Sequence, residues 1–116
     1  MRKMSVKVRF GTITNREMWI ERMQVTDENG VPFDLSGTVV NLEVQYQPSG
    51  RRVISAANGD GQLQTDESGN IEWIIDVSRM RSLRPGLYNV GLVCRLEGTT
   101  RQILTGTIQI DSGYIS

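Results

Sequence analysis

Carboxylates are the side chains in this sequence that come closest to forming a chemical site. Two neighbouring turns carry four residues with side-chain oxygens: Asp60, Asp66, Glu67 and Asn70. Such oxygens can bind calcium, and paired carboxylates can hydrolyse glycosides. The spacing does not match an EF-hand loop, and among 13 acidic residues some pair is always available. We therefore predict ordinary turn chemistry here, with no metal site.

The sequence contains no histidine and a single cysteine. The lack of histidine excludes Ser-His-Asp and Cys-His catalysis and imidazole metal sites. One cysteine can neither build a zinc site nor close an internal disulfide. Cys94 is in phase with the apolar residues around it, which predicts a buried thiol that fills space. We predict a protein that is not an enzyme, with no catalytic, cofactor-binding or metal-binding residue and no cofactor.

The charges balance, with 13 basic and 13 acidic residues, so no long-range field attracts nucleic acid or an anionic membrane. Arginines form two small groups in turn regions: Arg51 and Arg52, and Arg79, Arg81 and Arg84. Charges in turns are usually solvated, so neither group indicates a phosphate site. No apolar run approaches membrane-spanning length, and the basic N-terminus lacks the apolar segment of a signal peptide. We expect partners that are neither nucleic acid nor membrane.

The elements that must position these residues are predicted from alternation. The clearest strand follows the turn residues Asn29–Gly37 and has four apolar residues on one face: Val40, Leu42, Val44 and Tyr46. Polar residues lie between them, which is typical of a strand with one dry and one wet face. This strand is expected to pair with a following strand, Arg51–Ala56, through a hairpin at Gln47–Gly50.

Other strands are predicted at Ser5–Phe10, Glu17–Thr26, Gln62–Thr65, Ile71–Val77, Leu87–Leu96 and Arg101–Ile110. The first is expected to end before Gly11, and the short Gln62–Thr65 strand to lie at a sheet edge or a sandwich corner. Trp73 is the candidate centre of the core, because a buried indole removes the most apolar area. Gly106 suggests a bulge or a close backbone contact.

One helical turn is predicted at Ser78–Leu83, capped by Ser78 and stopped before Pro85. A hairpin turn is expected at Glu97–Thr100. Seven or eight strands and one helical turn indicate an all-β fold, an antiparallel β-sandwich. At 116 residues the chain is expected to be a single domain, 1–116.

Three segments together resemble a known family: Phe33–Thr38 before an alternating strand, Leu83–Tyr88 opening a second, and Leu104–Ile110 closing the chain. Their order is similar to that in immunoglobulin-like β-sandwich domains of phage and prophage tail, baseplate and head-associated proteins, including the N-terminal domain of baseplate upper proteins. The resemblance spans about Gln24 to Tyr114. Taken alone, the same motifs would also suit a sandwich of cellular origin.

The resemblance implies a structural role in a virion, with assembly in the bacterial cytoplasm. The implied partners are other virion proteins and further copies of the chain, and no catalytic residue is transferred. Tail-fibre and baseplate relatives commonly continue into a coiled coil or a receptor-binding part, whereas this sequence stops at Ser116. That difference favours a small adaptor or decoration role and makes receptor binding doubtful.

Two alternatives remain open from the sequence. One is a carbohydrate- or protein-binding module of a bacterial surface system, and the other is a hydrolase with close carboxylates in a cleft. Trp19 exposed beside Tyr46 or Tyr114 on a concave face would favour the binding module. Two interior tryptophans, with an apolar patch or bare edge strand outside, would favour assembly.

Overall fold

The computed structural model describes residues 6–96 and 98–113, and these ranges contain eight strands and one short helix. In chain order the elements are β1 (Val6–Thr14), β2 (Trp19–Gln24), β3 (Val39–Tyr46), β4 (Arg51–Ala57), β5 (Leu63–Thr65), β6 (Asn70–Ile75), α1 (Val77–Met80), β7 (Gly86–Leu96) and β8 (Thr99–Asp111). The predicted all-β class is confirmed.

The strands form two sheets. The five-stranded sheet has the order β1-β8-β7-β3-β4, and the three-stranded sheet has the order β2-β6-β5. All pairs are antiparallel except β1 with β8, which run parallel. The fully antiparallel arrangement expected from the sequence is therefore wrong at this edge. β5 lies at an edge, as predicted.

β3 lies between β7 and β4 and has the predicted alternation. Val40, Leu42 and Val44 are fully buried, while the residues between them are only partly covered. Tyr46 ends the strand and is half-buried. The hairpin to β4 also forms as predicted, with Gly50 N donating to Tyr46 O at 2.8 Å.

The buried faces of both sheets contribute to one apolar cluster. At its centre Phe10, Trp19 and Trp73 pack edge to face, with ring centroids 5.6 to 6.0 Å apart. Trp73 has no exposed surface and Trp19 has 1%. The prediction for Trp73 is confirmed. Burial of each large apolar side chain in such a core contributes about 1.5–3 kcal/mol.

The helical turn differs in detail from the prediction. α1 covers Val77–Met80, and Asp76 rather than Ser78 is its N-cap, because the Asp76 carboxylate accepts a hydrogen bond from Arg79 N at 3.0 Å. The Ser78 hydroxyl instead donates to Asp76. Val77 belongs to the helix, so it does not continue the strand face of β6 as expected. A carboxylate competes well for the cap position, since it accepts from the unpaired N–H groups of the first turn.

Irregularities in the strands also lie elsewhere than expected. β1 continues past Gly11, and its register with β8 shifts between Arg9 and Thr12. Gly106 pairs regularly with Val90. The bulge of β8 lies at Ile103, where the register with β7 shifts, so that Ile103 and Leu104 are both buried. The predicted Glu97–Thr100 turn cannot be compared, because Glu97 lies outside the described residues and Thr99 already belongs to β8.

Candidate functional site

A basic groove opens where β3 ends. Its volume is about 550 Å³. It is lined by nine residues from the β3–β4 hairpin, the segment joining α1 to β7, and β7 itself: Tyr46, Ser49, Arg51, Arg52, Val53, Ser82, Leu83, Arg84 and Tyr88. No acidic residue is among them. A volume of this order is typical of ligand-binding clefts.

Two tyrosines that pair across β3 and β7 form the floor of the groove. The ring centroids of Tyr46 and Tyr88 lie 5.2 Å apart, and the Tyr88 hydroxyl donates a hydrogen bond to Arg84 O at 2.7 Å. Gly86 allows the close packing, because a Cβ there would lie 2.9 Å from Cε1 of Tyr46 and its φ is +153°. The floor is therefore rigid and belongs partly to the core.

Three arginines surround this floor. The Arg84 guanidinium lies over the Tyr46 ring, 5.5 Å from its centroid, which is within the range of a cation–π contact. Arg52 pairs with Glu43 at 3.3 Å, and both side chains are well exposed. Arg51 is exposed and pairs in register with Tyr46 across the hairpin. The rim therefore presents several forked donors of positive charge, which suit carboxylates and other oxyanions.

The groove is lined by donors that suit anions, and no carboxylate or histidine is among its lining residues. Guanidinium groups offer N–H donors and no acceptor atom, so the three arginines supply no general base. Burial, followed by the nearby Tyr46, raises the pKa of Tyr88, so this phenol stays neutral as well. Ser49 and Ser82 line the groove without an acidic or histidine partner among the lining residues to activate them.

This site is not predicted by the sequence. Arg52 and Arg84 are far apart along the chain, so the sequence predicts two separate groups of solvated turn charges. The fold brings Arg51, Arg52 and Arg84 to one groove, while Arg79 and Arg81 do not line it. β3 has β4 and β7 as its neighbours in the sheet. Only the register of β3 with these two strands would have predicted that the arginines share one site.

The acidic turns stabilise the backbone, as predicted. Asp60 accepts hydrogen bonds from the N–H groups of Ala57, Gln62 and Leu63 at 2.7 to 3.3 Å. Desolvation is the largest single influence and raises the pKa of Asp60, but these three donors together with Arg79 bring it below its usual value. Among residues 6–96 and 98–113 no three His, Cys, Asp or Glu side chains are grouped to bind a metal ion.

Asp66 plays the same part in the β5–β6 turn. Its carboxylate accepts from the Asn70 side chain at 3.0 Å and from the N–H groups of Ser68 and Asn70 at 2.9 and 3.0 Å. The Asn70 side chain, and then its backbone N–H, lower the pKa of Asp66. This pattern is an Asx-type turn.

Cys94 is buried in β7, as predicted. Burial raises the pKa of its thiol, and the nearby Arg101 opposes this only in part. A thiol that is both buried and protonated is a poor nucleophile.

The outer face of the three-stranded sheet carries an exposed apolar pair. Ile20 and Ile74 are cross-strand partners on β2 and β6, and they are 48% and 37% exposed. Met18, next to β2, is also exposed. β2 is an edge strand of this sheet. An edge strand with neighbouring exposed apolar side chains is a typical protein contact surface.

The aromatic residues named by the sequence analysis do not form an exposed platform in the described structure. Trp19 is 1% exposed, and its indole N–H donates to Glu21 at 3.0 Å. The Tyr46 ring packs against Tyr88 and lies under Arg84. Tyr114 lies outside the described residues.

A second, smaller groove of about 230 Å³ lies on the polar face of the five-stranded sheet. Its lining includes Gln45, Asn89 and Gln102, but no aromatic residue. Because sugar-binding sites generally use an aromatic platform, this groove does not favour a carbohydrate ligand.

No protein-family model matches the chain, and a search of curated proteins finds no match. The described part of the chain contains no helix long and apolar enough to cross a membrane. The surface of the chain is therefore the evidence for its function.

Proposed function

We propose that this chain is a non-enzymatic structural protein of a phage or prophage particle, an adaptor or decoration protein that docks onto other virion proteins and onto copies of itself. The observation that carries the proposal is the exposed Ile20–Ile74 pair at β2, an edge strand of its sheet in the described part of the chain, with both tryptophans buried in the core. Apolar side chains on a sheet face are costly to leave in water, which favours their burial by a partner.

The proposed fold is an immunoglobulin-like β-sandwich. Labelling β2 to β8 as B, C, C′, D, E, F and G gives the sheets C′-C-F-G, with β1 added beside G, and B-E-D, which supports the strand order of that fold. Tyr88 supports the assignment, because it begins β7 and its hydroxyl bonds the backbone of Arg84 upstream, as in a tyrosine corner.

Two departures mark this chain within the proposed fold. Antibody domains have a disulfide between strands B and F and a tryptophan on strand C. Here the single Cys94 is on β7, and the tryptophans, Trp19 and Trp73, lie on β2 and β6. The core of this chain instead contains an aromatic cluster of Phe10, Trp19 and Trp73.

The virion setting rests on the order of three segments: Phe33–Thr38, Leu83–Tyr88 and Leu104–Ile110. In the structure these segments lead into β3, lead into β7 and form β8. The fold and this segment order support a structural role. The carbohydrate-binding alternative lacks the exposed aromatic platform that it would need.

The test is whether the chain is bound to particles. Virions are purified on a density gradient from the bacterium that encodes the chain, and the chain is quantified in the particle fraction. We expect the wild-type chain in that fraction and Ile20→Lys/Ile74→Lys in the unbound fraction, since charges would replace the apolar contact.

Ser55→Lys/Gln64→Lys is the matched control. Both positions are exposed, so this variant adds the same charge without touching the apolar pair, and it should remain on the particle. A wild-type chain found only in the unbound fraction would overturn the proposal.

A further inference from the structure

The loops at the end of the molecule opposite the groove carry acidic charge. We call this group the acidic tip, and it comprises five residues: Asp27, Glu28, Asp34, Asp66 and Glu67. The loops that carry it, residues 25–38 and 66–69, contain no Lys or Arg. The nearest basic position in the strands at this end is Arg95, whose register partner is Val39.

Backbone hydrogen bonds join these loops into one unit. Val25 N donates to Gly69 O at 2.8 Å, and Leu35 N donates to Asp66 O at 3.1 Å. The turn after Asp27 is closed by the Asp27 carboxylate, which accepts from Val31 N at 3.0 Å. The tip is therefore held in a fixed arrangement rather than as separate loops.

The tip also presents groups for a partner. Glu28 and Glu67 are exposed and make no hydrogen bond or ion pair within residues 6–96 and 98–113. Val31 is 52% exposed beside them. The Ser36 hydroxyl, and then its N–H, lower the pKa of Asp34, which therefore stays ionised near neutral pH.

The tip cannot reach the groove of its own molecule. β3 begins at Val39, directly after the loops of the tip, and ends in the groove at Tyr46. A strand of this length spans about 26 Å at roughly 3.3 Å per residue. The molecule is also elongated, with a long axis of 50 Å. Two complementary surfaces at opposite ends of a rigid chain can meet only between copies.

We infer that the basic groove of one copy binds the acidic tip of a second copy, so that identical chains associate head to tail. The tip brings carboxylates to Arg51, Arg52 and Arg84, and Val31 to the partly buried Val53 of the groove. The proposed function includes self-association, and this inference names the two surfaces that would make the contact. It rests on the proposed function in that respect.

Head-to-tail contact has a defined consequence for assembly. The two surfaces differ, so the interface is heterologous and generates a ring if the rotation closes or a filament if it does not. The net charge of the chain is zero, so copies do not repel one another as a whole. Individual exposed ion pairs are weak, and the association should therefore weaken as salt screens them.

Sedimentation velocity on the purified chain tests the inference. The wild-type chain should grow beyond a dimer as its concentration rises to high micromolar, and should return towards the monomer at high salt. Arg51→Gln/Arg84→Gln removes two of the three groove charges, and Glu28→Gln/Glu67→Gln removes two of the five tip charges without touching the turn-forming Asp27 or Asp66. Each double variant alone should sediment as a monomer.

Mixing the two double variants is the decisive step. The intact tip of the first fits the intact groove of the second, so an equimolar mixture should form a one-to-one dimer that grows no further. Ser55→Glu/Gln64→Glu and Ser55→Lys/Gln64→Lys, at exposed sites on β4 and β5, control for charge and should associate like the wild type.

A monomeric wild-type chain, or a mixture that stays monomeric, would overturn the inference. So would double variants that associate like the wild type, a result that would leave assembly through Ile20 and Ile74 standing. If inorganic phosphate at low millimolar concentration binds the groove of a wild-type chain that stays monomeric, the groove is a small-anion site instead. The particle-binding test measures the contact made by Ile20 and Ile74, whereas sedimentation measures the contact between the groove and the acidic tip. Either proposal can therefore fail while the other stands.

Discussion

At the scale of single residues, the two tryptophans differ in one respect that can be measured. Both are almost completely buried and pack against each other at 5.6 Å. The indole N–H of Trp19 donates to Glu21, whereas that of Trp73 is buried with no acceptor among the described residues. A buried N–H without an acceptor costs about 1–3 kcal/mol. Trp73 therefore contributes to the packing of the core and also carries an internal penalty.

We predict that Trp73→Phe destabilises the chain less than Trp19→Phe, by about 1 kcal/mol. Both changes remove similar apolar area, but only Trp73→Phe also removes an unsatisfied donor. The measurement is the free energy of unfolding in urea. Each variant keeps one tryptophan, so fluorescence follows both transitions, and circular dichroism provides a second signal. An equal or larger loss in Trp73→Phe would contradict the assignment of its N–H as unsatisfied.

At the scale of elements, the loops of the acidic tip pack closely around Gly69. Its φ is +78°, and a Cβ there would lie 2.5 Å from Val25 O and 3.0 Å from Phe33 O. Gly30 has nearly the same φ, +80°, but a Cβ there would meet no atom within 4 Å. The two glycines separate the cost of backbone conformation from the cost of close packing.

Gly30→Ala should cost about 1–2 kcal/mol, the usual cost of the left-handed conformation for a residue with a Cβ. Gly69→Ala should cost about 1–3 kcal/mol more, because the two backbone carbonyls must move. Chemical denaturation of both variants gives the difference. Similar losses in the two variants would mean that the loops of the tip are not held together at Gly69.

The pairing of the elements also explains which features could be predicted from the sequence. Alternation is local, so β2, β3 and β6 could be placed from their own residues, and Trp73 could be assigned to the core. The parallel pairing of β1 with β8 joins opposite ends of the chain and has no local pattern. The basic groove depends on the same kind of information, since Arg51 and Arg84 meet only because β4 and β7 lie on either side of β3.

At the scale of the whole molecule, the groove and the acidic tip carry opposite charges. The groove at one end is lined by three arginines and no carboxylate, while the loops at the other end carry five carboxylates and no Lys or Arg. A net charge of zero conceals this separation. Complementary surfaces of this kind support the proposed repeated assembly over an isolated binding module.

The titratable groups also predict how the stability of the whole molecule depends on pH. Four turn aspartates have lowered pKa values: Asp34, Asp60, Asp66 and Asp76. Near their usual pKa of 3.8 the unfolded chain binds more protons than the folded one, so their contribution is present above that pH and is lost as the pH falls below it. The chain has no histidine, and so the free energy of unfolding should be nearly constant between about pH 5 and 8.

At alkaline pH the sign is reversed. Burial raises the pKa of Cys94 above 9.0 and that of Tyr88 above 10.0, so the unfolded chain loses these protons first, and stability should fall as the pH rises above about 9. Urea denaturation from acidic to alkaline pH measures where the free energy of unfolding begins to fall at each end. In Cys94→Ala the alkaline decline should begin about one pH unit later, where Tyr88 alone remains. An unchanged onset in that variant, or a transition between pH 5 and 8, would show that other groups control the stability.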